Sequence, residues 1–107
     1  MPSFSKKQQV VSPESSLTRL AEQTQNDFEL AFFSGILQRH PNYVDVLKCQ
    51  AKLLASLKRY EEGLDLDLRL TRLRPTDPLA HYNLACTYSL VGQVDAAFES
   101  LVKALQF

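Results

Sequence analysis

Apolar residues recur at steps of three and four along most of this chain. Val44, Leu47, Ala51, Leu54 and Leu57 follow that spacing, which gathers side chains on one face of an α-helix. The same reading predicts a short helix from Ser12-Pro13 to about Gln23, carrying Leu17, Leu20 and Ala21. A polar break at Thr24-Gln25-Asn26 is expected next, then a second helix over about Asp27–Arg39. Phe28, Leu30, Ala31, Phe32, Phe33, Ile36 and Leu37 cover more than one stripe of that helix, which predicts burial on two sides. The third helix holds the Val44–Leu57 stripe. A fourth runs over about Tyr60–Arg74 with Leu64, Leu68 and Leu70 inward. A fifth opens at Asp77-Pro78 with Leu84, Ala85 and Tyr88, and a sixth covers about Val94–Gln106 with Ala97, Phe98, Leu101, Ala104 and Leu105. No alternating β-branched run lasts four positions, so no strand is expected.

The punctuation agrees with this reading. His40-Pro41-Asn42 stops the second helix because a proline disfavours helix at the residue before it. Asn42 is placed to cap the third helix, with Asp45 near its positive end. Asp77 caps the fifth helix, with proline in its first turn. Gly92 supplies a left-handed stop. Residues 1–11 are polar and aperiodic, the pattern of a flexible tail. Residues 12–107 are read as one domain in three units, 12–41, 42–75 and 76–107.

Those units are written to a period. Ala51 falls over Ala85, 34 residues on, with Leu54 over Tyr88, Leu64 over Phe98 and Pro41 over Pro75. A fixed period of this size marks a stacked repeat array, in which no unit can bury its apolar face alone. In Leu84-Ala85, Tyr88, Gly92, Ala97, Leu101 and Ala104, with His81 at a position for a large ring, the chain resembles the tetratricopeptide repeat family. The middle unit matches in Leu47, Ala51, Leu54, Tyr60, Gly63 and Pro75. It departs at Lys58, where glycine is usual, and at Asp67 and Leu70, Asp67 replacing a bulky residue. Small residues such as Ala51, Gly63, Ala85 and Ala97 keep the crossing helices close, and Tyr60, Tyr88 and Phe98 fill the space between units. Carrying the period back puts Glu29 and Leu17 on small-residue positions, so the first unit is degenerate. The resemblance implies an all-α, right-handed superhelical stack of antiparallel helix pairs, about six helices in all.

It also implies a non-enzymatic protein–protein interaction module that binds a peptide or protein in a concave groove. The first helices of successive units would line that groove with Lys48, Cys49, Lys52 and Ser56 from one, and Tyr82, Asn83, Cys86 and Ser89 from the next. Lys48 and Lys52 are four apart and share a helical face. A carboxylate-bearing peptide could pair with both, while Asn83 holds its backbone. The alternative function is assembly. Phe98, Leu101, Val102, Leu105 and Phe107 form an apolar strip on the terminal helix, and such strips mark interfaces, here with a second copy as a homo-oligomer.

Charge and chemistry narrow the field. Lys+Arg and Asp+Glu are 12 each, for a formal net charge of zero, so no global field draws the chain to nucleic acid or an anionic membrane. Lys58, Arg59, Arg69, Arg72 and Arg74 are interleaved with Glu61, Glu62, Asp65 and Asp67, a poor footprint for a phosphate backbone. No run is long and apolar enough to span a bilayer. Glu61-Glu62 opens a helix where negative charge is favourable anyway, and Asp65 and Asp67 diverge around theirs. No catalytic triad, phosphate loop or metal-ligand spacing is present, so neither an enzyme nor a cofactor is expected. Cys49 and Cys86, with His40 and His81, are wrongly spaced for zinc and read as two partly buried thiols. Such thiols suit a reducing, cytoplasmic setting.

Overall fold

The structure is a computed structural model that describes residues 13–107. The tail expected over 1–11 and the Ser12 cap lie outside the described residues. Five α-helices follow one another: α1 (Pro13–Arg39), α2 (Val44–Ser56), α3 (Tyr60–Leu73), α4 (Pro78–Leu90) and α5 (Val94–Gln106). Among the described residues there is no strand. The described residues divide into two compact units, the first ending at Ala31 and the second running from Phe32 to Phe107.

One expected boundary is absent. Thr24-Gln25-Asn26 does not interrupt α1, which runs unbroken for 27 residues, so the described residues form five helices rather than about six. The physical reason is that polar side chains are not breakers. Thr24 Oγ1 donates back to Leu20 O at 2.9 Å, and Gln25 Nε2 reaches Glu29 Oε2 one turn on at 2.7 Å. Neither glycine nor proline sits there to cost the helix a backbone bond. The two-sided burial expected for residues 28–37 is also not found. Phe28 and Phe32 are 64% and 55% exposed, and only Leu37 of that group is buried.

In the second unit α2 packs on α3, α3 on α4, and α4 on α5. Leu47 and Leu54 of α2, Leu66 and Leu70 of α3, and Leu84 and Ala85 of α4 form the core. Leu66, rather than Leu64 or Leu68, is the most deeply buried leucine of α3. Burying each such leucine stabilises the stack by about 1.5–3 kcal/mol, and every one of these residues lies at a helix–helix seam. The end of α1 is tied in by Gln50 Nε2, which donates to Ser34 Oγ at 3.1 Å.

The caps follow the sequence in part. Asp77 accepts from Leu79 N at 3.0 Å, with Pro78 at the first helical position. Tyr43, not Asn42, is the N-cap of α2, and no side chain satisfies that end. His81 takes the place of a large ring. It is buried, stacks on Phe107 with centroids 5.6 Å apart, and donates from Nε2 to Pro75 O at 2.7 Å. The carbonyl can only accept, so the ring hydrogen is on Nε2.

Candidate functional site

Antiparallel helices joined by short turns place α2 and α4 side by side across α3. A groove of about 480 Å³ opens where the three meet. Helix α2 contributes Lys48, Ala51, Lys52 and Ala55, a single stripe at steps of three and four. Helix α3 contributes Asp67 and Leu70, and its trailing turn Arg74 and Asp77. From α4 come Leu79, Ala80, Asn83, Cys86, Thr87 and Leu90. The alanines take up little of the space, and Leu79 and Leu90 add exposed apolar surface to it while Leu70 belongs to the core.

Of the expected groove residues, Lys48, Lys52, Asn83 and Cys86 line this one space. Cys49, Ser56, Tyr82 and Ser89 do not. They sit on exposed flanks of the same helices, and Ser56 Oγ is turned back to Leu53 O at 2.7 Å. A step of one residue moves a side chain about 100° around a helix, enough to carry Cys49 and Tyr82 out of the groove that their neighbours line. Both cysteines are exposed rather than partly buried, and both are free.

The groove's charges are unevenly matched. Among the described residues Lys48, Lys52 and Arg74 form no ion pair; Arg59 and Glu62, which do not line this space, pair at 2.7 Å. Against these three cations stand two carboxylates. Asp77 is engaged as the α4 cap. Asp67 is 6% exposed and accepts from Thr87 Oγ1 at 2.6 Å. Burial pushes the Asp67 carboxyl above the ordinary aspartate range, and the Thr87 hydrogen bond draws it partly back. Among the described residues, no group of three His, Cys, Asp or Glu is gathered as a metal ion would need. No helix of these residues is long and apolar enough to cross a membrane.

Sequence reasoning missed Arg74, Asp77 and Thr87 as groove residues. Asp67 was visible only as a break in the repeat pattern. The missing signal was the hydroxyl at position 87 of the next unit, which complements that acid.

Comparison with known proteins agrees with the helical-repeat fold. Residues 68–99 match the tetratricopeptide repeat model, a span that covers the end of α3, all of α4 and the start of α5. No curated protein matches the chain significantly. Among solved structures, MamA from Desulfovibrio magneticus RS-1 superposes with a TM-score of 0.70 at 23% identity, over 81% of this chain and 49% of that one. A MamA AMB-1 structure gives a TM-score of 0.72 at 21% identity, over 80% and 47% of the respective chains. The chain thus spans about half the length of these structures, and at such identities the likeness speaks for the fold: a helical-repeat solenoid.

Proposed function

We propose that this stack of helix pairs, a tetratricopeptide-like solenoid, is a non-enzymatic scaffold that holds an acidic segment of a peptide or protein partner in the α2–α4 groove. One observation carries the reading: three cations without ion pairs, Lys48, Lys52 and Arg74, line the same space as Asn83. Exposed lysines are ordinarily a solvated face. Here they converge with an amide and apolar rims, the arrangement that charge-assisted recognition of an extended carboxylate-bearing chain uses. Lys48 and Lys52 would take carboxylates, and Asn83 the partner's backbone. The two free thiols suit a reducing cytoplasm.

The test is partner capture by the wild type, Lys48→Glu and Asn83→Ala, followed by titration with the captured segment. Loss of capture in both variants, with helix content unchanged, supports the groove. Unchanged capture rules it out.

A second reading has its own observation. On α5, Phe98 is 67% exposed and Leu105 82%, with Leu101 and Val102 over a third exposed, and Phe107 just beyond the helix is 56% exposed. That strip would join two copies. Sedimentation across a dilution series decides it: a strictly monomeric species removes this reading, and a dimer lost in Leu105→Glu supports it.

A further inference from the structure

Asp67 stands where the repeat pattern calls for a bulky side chain to fill the seam between units. A carboxylate there is costly unless its oxygens are satisfied. Oδ2 is satisfied by Thr87 Oγ1 at 2.6 Å, the length of a charge-assisted bond. The hydroxyl has one hydrogen, so its 3.1 Å approach to Asn83 O, one turn back on α4, is secondary. Together these contacts fix the Thr87 rotamer and hence the carboxylate plane. The other oxygen, Oδ1, has no partner within the protein, and it is not among the polar atoms sealed from solvent without one. Asp67 lines the groove, and Oδ1 is the carboxylate oxygen left there without a protein partner. None of the three groove cations pairs with it.

We infer that Asp67 is a specificity-determining acceptor of the groove, and that the partner segment carries a basic residue, lysine or arginine, whose charged N–H groups bind Oδ1 while a neighbouring acidic residue meets Lys48 and Lys52. A purely structural α3–α4 bridge accounts for Oδ2 and leaves Oδ1 unexplained. A neutral donor could hydrogen-bond this oxygen, but a charged N–H donor adds Coulombic attraction to the same bond. The inference rests on the groove being the binding surface. It adds that the recognised segment is of mixed charge rather than simply acidic.

The probes are blocked, fluorescein-labelled peptides on one apolar frame: one with glutamate alone, one with glutamate and lysine, and one with neither. Fluorescence anisotropy with the wild type should show the glutamate–lysine peptide bound about tenfold tighter than the glutamate peptide, the scale of one charged hydrogen bond. Asp67→Asn should erase that difference, bringing the glutamate–lysine peptide to the affinity of the glutamate peptide. Thr87→Val, which keeps the acid but frees its plane, should narrow the difference, and it serves as the reporter if Asp67→Asn does not fold. A wild type that binds both glutamate peptides equally, or an Asp67→Asn protein that keeps the preference, overturns the role of Asp67 while the groove reading stands. Equal affinity for all three peptides overturns both.

Discussion

Lys58 and Gly92 occupy the same turn of successive helix pairs, and both have left-handed backbones, with φ of 61° and 86°. Their surroundings repeat bond for bond. Lys58 N donates to Ala55 O at 3.0 Å and Arg59 N to Leu54 O at 2.9 Å; one period later Gly92 N donates to Ser89 O at 3.1 Å and Gln93 N to Tyr88 O at 2.8 Å. Those bonds terminate α2 and α4 and turn the chain into the next helix. Lys58 has a Cβ in a region that only glycine visits without strain. Lys58→Gly should therefore stabilise the fold by about 1 kcal/mol, and Gly92→Ala should cost about as much, although no atom crowds position 92. Urea unfolding midpoints check both. A destabilised Lys58→Gly would show that the lysine side chain contributes more than its backbone loses.

Gly63 is small for a weaker reason than the repeat pattern implies. A Cβ built there meets Leu54 Cβ at 3.9 Å, an ordinary contact. One methyl group fits the α2–α3 crossing. Gly63→Ala should raise stability by about 0.5–1 kcal/mol through helix propensity, and Gly63→Leu should lower it by crowding Leu54. Thermal unfolding of the two variants separates propensity from packing, since only the second effect grows with side-chain size.

Asp67 gives the stack a pH signature. Its carboxyl is held above the ordinary aspartate value of 3.8, chiefly by burial. The folded chain thus keeps a proton that the unfolded chain has already released. Its contribution to stability is fully present below the ordinary range and is lost as pH rises through the raised value. Asp67→Asn lacks that titration. The stability difference between the variant and the wild type should move in the variant's favour as pH climbs through this window and level off above it. Denaturant midpoints at a series of pH values supply the measurement. A shift toward the wild type with rising pH would mean that the ionised acid is stabilised within the fold.

The two cysteines make an internal comparison. Both are exposed and free, yet only Cys86 lines the groove. Alkylating Cys86 in a Cys49→Ser background with a bulky maleimide should abolish peptide binding. The same reaction at Cys49 in a Cys86→Ser background should leave it intact. Peptide mass analysis after timed labelling extends the test, because a bound segment should slow reaction at Cys86 alone. Equal slowing at both thiols would place the ligand elsewhere.

Much of this molecule was legible in its residues. The helix pairs α2/α3 and α4/α5 follow from local rules: apolar stripes at steps of three and four, the Asp77-Pro78 cap, and the left-handed stop at Gly92. Such rules act over a turn or two and need no knowledge of neighbours. The continuity of α1 was legible too, had the Thr24-Gln25-Asn26 triplet been weighed as exposed helix surface rather than as a break.

Groove membership was not of that kind. Lys48 and Cys49 are adjacent in the chain, and only the packing of α2 and α4 on α3 puts one inside the groove and the other on its flank. Asp67 read as a misfit until packing brought Thr87 to 2.6 Å from it. By itself the sequence determined which segments are helical and where most of them stop, because backbone hydrogen bonding is local. Tertiary structure alone decided which side chains converge, because that depends on contacts between residues far apart along the chain.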